Sequence, residues 1–355
     1  MMNRFFLWGA LVLPCTVWSG VDITFTPQGP VTTKTTAPET PKAPATEPVE
    51  GIVVVPIADL RRAPVSPSPQ AVKRRPYAVD ENQETQLLFG ERVLVYEVKG
   101  NWFRVEAVDQ AEWTHSQRWQ GYPGWVLQEA VIPRPADFMP QAVVIARYGR
   151  VRETQKRSSA FKELPMGSRL GVLYRQKGWV RVQGPQGEMG WMRDKDVRLD
   201  REAPTRNNEV RDALVTAVRQ FIGEPYYWGG RSGHKKRGTN PSGVDCSALV
   251  NVAYRSVALN APRDAHEQFL LASPLRKGGD LRPGDLVFLS KKGTPDRVVH
   301  VLIYEKTETL IEAVHEFNKV RRVSFKKKLG VRQNDIQSGS IFGDFVVRLG
   351  TFLDK

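Results

Sequence analysis

Apolar residues follow three different rhythms along this chain. From Phe5 to Trp18 they run almost unbroken behind Arg4 and stop at Ser19 and Gly20, which is the layout of a secretory signal rather than of a spanning helix. From Ile52 to about residue 200 they come in short alternating runs between turn residues, as in Arg92-Val-Leu-Val-Tyr-Glu-Val98, Lys99-Gly-Asn101 and Trp102-Phe-Arg-Val105. That pattern predicts small β-barrel architecture. Beyond Pro204 the rhythm becomes helical. Val210, Leu214, Val215, Val218 and Phe221 predict a helix from Asn208, its expected cap, to Gly223 at its end. A second helix is expected from about Val244-Asp-Cys246 to Val257, followed by strands at Pro283-Gly-Asp-Leu-Val-Phe288 and His300-Val-Leu-Ile-Tyr304.

The middle region repeats itself. Leu88-Phe-Gly-Glu-Arg-Val-Leu-Val, Lys99-Gly-Asn-Trp-Phe-Arg-Val and Gly124-Trp-Val recur as Leu164-Pro-Met-Gly-Ser-Arg-Leu, Lys177-Gly-Trp-Val-Arg-Val and Gly190-Trp-Met. A strand, a Gly turn that seats a Trp, and a closing Gly-Trp strand resemble the bacterial SH3 module of cell-wall proteins. Trp102, Trp125, Trp179 and Trp191 are expected in the cores of these modules. Between the signal and the repeat, residues 21–50 are rich in Pro, Thr and Ala and lack the apolar content of a core, so a disordered tether is expected. The expected organisation is a signal at 1–20, the tether at 21–50, SH3-like domains at 51–135 and 136–200, and a further domain at 205–355.

Composition and charge narrow the function. A length of 355 residues, 41% of them hydrophobic, allows two or three cores. The net charge of +14 favours anionic surroundings without choosing among them. No nucleic-acid recognition motif accompanies it, and the histidines lack metal-ligand spacing. Neither nucleic acid, metal nor cofactor is therefore expected.

There are two cysteines. Cys15 lies in the expected signal, where Pro14 stands in the place at which a lipoprotein signal wants a small residue. Loss of the signal leaves Cys246 alone in an oxidising compartment, either as a small buried hydrophobe or as a nucleophile. Its place at a helix start favours a lowered thiol pKa, and the same backbone N–H groups suit an oxyanion. Of the five histidines, at 115, 234, 266, 300 and 315, His300 opens the clearest strand and is the expected base.

Gly223-Glu-Pro-Tyr-Tyr-Trp-Gly-Gly-Arg231, Asp245-Cys-Ser247, Leu281-Arg-Pro-Gly-Asp-Leu-Val-Phe288 and His300-Val-Leu-Ile-Tyr304 together resemble an NlpC/P60 papain-like peptidase over about residues 205–350. The paired SH3-like region and the Tyr-Tyr-Trp-Gly-Gly-Arg run resemble, more narrowly, γ-D-glutamyl-L-diamino acid endopeptidases. The resemblance implies an α+β catalytic domain behind two SH3-like barrels. It also implies export to the periplasm or cell envelope, no stable membrane insertion after signal removal, and a peptidoglycan or muropeptide substrate. Cys246 is the implied nucleophile and His300 the implied base. The third position, where the family often has histidine, falls on Glu312, with His315 as the alternative. Asp245, Ser247, Tyr122 and Glu84 are the implied substrate-binding residues, the last two closing a subsite for a free amino terminus. An inactive wall-binding protein, or an amidase or acyltransferase of the same fold, remains as the other reading.

Overall fold

A computed structural model describes residues 47–68, 80–156, 160, 162–233 and 242–353. The expected signal with Cys15, the tether up to residue 46 and residues 234–241 of the basic insert lie outside the described residues.

The first unit is a seven-stranded antiparallel sheet with the order β3-β2-β6-β5-β4-β1-β7. Its strands are β1 (Val49–Val53), β2 (Ile57–Arg61), β3 (Gln83–Leu88), β4 (Arg92–Lys99), β5 (Trp102–Glu112), β6 (Gln120–Leu127) and β7 (Val131–Pro133). The first strand thus begins inside the stretch expected to be tether. Alternate residues of the long strands point inward, so Val93, Val105, Ala107, Tyr122 and Val126 form one core. The β4–β5 turn needs a left-handed residue, which Gly100 supplies at φ 59°.

The second unit repeats this hairpin. Its strands are β8 (Ala142–Val144), β9 (Tyr148–Val151), β10 (Lys162–Pro165), β11 (Arg169–Gln176), β12 (Trp179–Gln183), β13 (Met189–Arg193) and β14 (Val197–Leu199). They form a five-stranded sheet, β13-β12-β11-β8-β14, beside a β9–β10 ladder. Phe89, from the turn after β3, sits in the core of this second unit, which interlocks the two. Trp102 and Trp179 are buried as expected. Trp125 and Trp191 are only half-buried, because each faces a cationic side chain, Lys99 and Arg181 respectively, rather than the core.

The third unit holds the helices α1 (Asn207–Arg219), α2 (Cys246–Arg255), α3 (Ala265–Leu271) and α4 (Phe325–Leu329). Asn208 does not cap α1. The cap position is Arg206, and the Asn207 side chain instead accepts a hydrogen bond from Arg211. The sheet comprises β15 (Ser273–Leu275), β16 (Leu286–Lys291), β17 (Val298–Lys306), β18 (Thr309–Val314), β19 (Lys319–Ser324), β20 (Ile341–Phe342) and β21 (Phe345–Thr351), in the order β15-β21-β16-β17-β18-β19 with β20 on β21. One face presents Leu286, Phe288, Val301, Ile303 and Ile311 to α1 and α2. The other presents Val287, Leu289, Leu302, Tyr304 and Leu310 to Phe325 and Leu329 of α4. Burial on both faces accounts for the nearly continuous apolar runs in these strands.

Candidate active site

The loop that carries the Tyr-Tyr-Trp-Gly-Gly-Arg run delivers the chain to the start of α2. Asp245 is the helix N-cap, its Oδ1 accepting from the Ala248 N–H at 2.7 Å. Its Oδ2 accepts from the Gly229 N–H at 3.0 Å and from Arg263 Nη2 at 2.7 Å. Gly229 has φ 72°, and a Cβ there would stand 2.9 Å from the Glu84 carbonyl, so only glycine lets this loop lie on β3. One carboxylate therefore fixes the helix start, the loop and a buried guanidinium together.

Cys246 opens α2, with its sulfur reached by the backbone N–H groups of Val301 and Ser247. Val301 directly follows His300, so the thiol lies beside the start of β17. The expected lowering of the thiol pKa is not found. Burial first, and the adjacent Asp245 carboxylate second, push the thiol up to about 12, against the pull of the two N–H groups and Arg263. The helix terminus is outweighed chiefly by burial, and the negative charge of its own cap adds to the shift. These influences oppose thiolate formation at Cys246.

His300 and Glu312 meet across β17 and β18, with Nε2 2.8 Å from Oε2. Burial lowers the pKa of His300, the hydrogen bond with Glu312 opposes that, and the Lys328 ammonium adds to it. Glu312 is fully buried, and burial alone would raise its carboxyl. The hydrogen bond to His300 and the charge of Lys328 bring it down to about 2. His315, the alternative third member, instead packs edge-on against Tyr226 at 5.5 Å between ring centroids.

Tyr122 serves two places at once. Its ring belongs to the core of the first unit, while its hydroxyl lies 3.1 Å from Asp264 Oδ2 and 3.4 Å from Glu84 Oε2. Glu84 is also bound by Arg62 at 2.6 Å, and the ring of His115 stands edge-on to Tyr122 at 5.1 Å. Ser247 Oγ accepts from Arg263 Nη1 at 3.0 Å and lies 3.2 Å from Asp245 Oδ1. Arg263, Asp264 and His115 were not foreseen from the sequence. Arg263 and Asp264 directly precede α3, and their contacts with the first unit, to Thr85 and Tyr122, span 178 and 142 positions, so no local spacing marks them. Burial raises the Asp264 carboxyl to about 6 although Arg263 opposes the shift.

The first unit is welded to this site by buried charge. Arg231, with no exposed surface, places Nη1 and Nη2 each 2.9 Å from the carboxylate of Glu91. Arg263 Nε donates to Thr85 at 2.6 Å.

The sequence pattern of the NlpC/P60 family matches residues 223–336, the stretch that holds the loop, Cys246, His300 and Glu312. This segment is an NlpC/P60 domain. Among curated relatives, the γ-D-glutamyl-L-lysine dipeptidyl-peptidase of Bacillus cereus is 28% identical over 227 residues, which is 62% of this chain and 64% of that protein. Dipeptidyl-peptidase 6 of Lysinibacillus sphaericus is 24% identical over 276 residues, 72% of this chain and 91% of that protein. The crystal structure of an NlpC/P60 family protein from Bacillus cereus superposes with a TM-score of 0.67 at 24% identity, covering 86% of this chain and all of that one. The fold shared with that structure therefore extends well beyond the NlpC/P60 domain into the two β-sheet units in front of it.

Proposed function

We propose that this protein is an exported thiol peptidase that cleaves the γ-D-glutamyl–diamino acid bond of muropeptides bearing a free amino terminus. The observation that carries the reading is the hydroxyl of Tyr122, which crosses from the first unit to Asp264 beside the Asp245–Arg263 pair that begins the Cys246 helix. A peptide whose ammonium group occupies the space between Tyr122, Glu84 and Asp264 would set its second amide bond over the thiol. The similarity to peptidases named for γ-D-glutamyl-L-lysine bonds supports the same substrate class.

In this mechanism His300 takes the Cys246 proton as the sulfur attacks the γ-glutamyl carbonyl, and backbone N–H groups at the start of α2 receive the oxyanion. The imidazolium then protonates the leaving amine as the C–N bond breaks. Water, deprotonated by His300, hydrolyses the thioester, releasing L-Ala-D-Glu and restoring the thiol. Glu312, bonded to Nε2, orients the ring so that Nδ1 serves the sulfur and stabilises the cation formed in passing. With its pKa pushed up by burial, the thiol relies on this base at the moment of attack.

The two β-sheet units in front act as SH3-like modules, the first forming one wall of the amine subsite. The apolar run at 5–18 serves as the export signal, which places the enzyme in the periplasm or cell envelope.

The test is mass spectrometry of the products from L-Ala-γ-D-Glu-diamino acid peptides, with and without amino-terminal acetylation. The expected outcome is release of L-Ala-D-Glu from the free peptide alone, abolished in Cys246→Ala. Equal cleavage of both peptides would remove the amine subsite from the proposal, and no cleavage of either would leave a wall-binding protein.

A further inference from the structure

Glu312 is held by more than the histidine it faces. Arg321 donates from Nε and Nη2 to Oε1 at 3.0 and 2.9 Å, whereas His300 Nε2 and Lys328 Nζ share Oε2 at 2.8 and 2.6 Å. The carboxylate has no exposed surface, and the side chains of Arg321 and Lys328 are only 16% and 14% exposed. The two cations come from separate elements. Arg321 stands opposite Glu312 in the β18–β19 register, with its guanidinium 3.5 Å from the centre of the Phe317 ring. Lys328 stands on α4, which is anchored by buried Phe325 and Leu329, capped by Ser324 and stopped by left-handed Gly330. Neither is a loose surface group.

A buried carboxylate hydrogen-bonded to imidazole ordinarily stabilises the imidazolium and raises its pKa. Such a bias would leave the base already protonated near neutral pH, which is unhelpful beside a thiol that must give up its proton. Here a lysine ammonium sits on the same carboxylate oxygen as the imidazole and opposes that bias. The charged groups that act on His300 are Glu312, Lys328 and Arg321, and the Cys246 sulfur is reached by the N–H of the next residue on the strand, Val301.

We propose that Arg321 and Lys328 are positioning residues that clamp the two oxygens of Glu312 and offset its charge, so that Glu312 orients His300 without holding a proton on it. Arg321 fixes the plane of the carboxylate by a paired grip on Oε1. Lys328 supplies the compensating charge where it acts most strongly, at the oxygen that the histidine uses. The proposal rests on the reading of Cys246 and His300 as the reacting pair.

The experiment is the pH profile of kcat/KM on the free-amine peptide for the wild type, Lys328→Met, Lys328→Arg and Arg321→Met, with melting temperatures measured alongside. Lys328→Met is expected to move the acid limb upward by about one pH unit, so that its loss is greatest at acid pH. Lys328→Arg should keep the limb in place, and Arg321→Met should move it in the same direction by less, because it touches the other oxygen. A Lys328→Met limb that coincides with the wild type while the melting temperature falls would overturn the proposal and leave the lysine a structural role. Lys328→Gln provides the same comparison if the methionine variant does not fold. Full activity in Cys246→Ala would instead remove the underlying Cys–His reading, whatever the lysine variants do.

Discussion

At the scale of single residues, the site is governed by what each charge has for neighbours. The Asp245 carboxylate caps α2, pairs with Arg263 and raises the thiol next to it. Asp264 shows how the same environment can control binding. Its carboxyl is raised to about 6, chiefly by burial, so lowering the pH through that value neutralises it. The KM for free-amine peptides is therefore expected to rise as pH falls below about 6, because a protonated carboxyl no longer pairs with an ammonium. Asp264→Asn should show a high KM that no longer varies over this range, and initial-rate measurements from acid to neutral pH would reveal a contrary, parallel profile. Glu312 titrates in the opposite sense. Its folded value of about 2 lies below the ordinary 4.5, so its contribution to stability is present above about 4.5 and is lost as pH falls toward 2. Urea unfolding at acid and neutral pH should show the wild type losing more stability on acidification than Glu312→Gln does.

At the scale of elements, the repeated Gly-turn hairpins and the α2 start were legible in the sequence because local chemistry decides them. Gly100 and the Lys177-Gly178 pair adopt the left-handed conformations that such turns demand. The start of α2 at Cys246, the β17 strand around His300 and the β18 position of Glu312 likewise follow from runs that are apolar and bounded by turns. How the elements are joined was not legible. Arg231 lies in the recognisable Tyr-Tyr-Trp-Gly-Gly-Arg run, yet its partner Glu91 is 140 positions away in another unit. Removing one member of a buried pair strands the other, at a cost of about 3–5 kcal/mol. Glu91→Gln should accordingly unfold at lower urea concentration than the wild type by that order. A midpoint shift worth under about 1 kcal/mol, the value for an exposed pair, would show that the first and third units are held together mainly by apolar contacts such as Ile57 and Leu88 in the core of the third unit.

At the scale of the whole molecule, the first unit contributes side chains to a candidate site centred in the third. Tyr122 is the clearest case, with its ring in one core and its hydroxyl against Asp264. The second unit reaches the catalytic domain through Arg147, which binds Glu224 at 2.5 Å, and Arg198, which donates to the Ser256 carbonyl at the end of α2. This arrangement predicts that the segment from residue 205 onward, produced alone, loses solubility or fold, since buried Arg231 and Arg263 would lose their partners Glu91 and Thr85. A soluble, cooperatively melting fragment that cleaves free and acetylated peptides alike would show instead that the first unit confers selectivity without supporting the fold.

The sequence by itself determined the elements and where the candidate site residues fall on them, because turn conformation, strand alternation and the placing of a cysteine at a helix start are local properties. Glu312 was implied by the resemblance to the NlpC/P60 family, through its position relative to His300, rather than by any local pattern. Only the tertiary structure decided the protonation balance and the walls of the site. The Cys246 thiol is pushed up because burial and Asp245 outweigh the backbone N–H groups and Arg263, and the Glu312 carboxyl is held down because His300 and Lys328 meet it from other elements. Electrostatic energies depend on distance and burial in space, and neither is encoded in spacing along the chain.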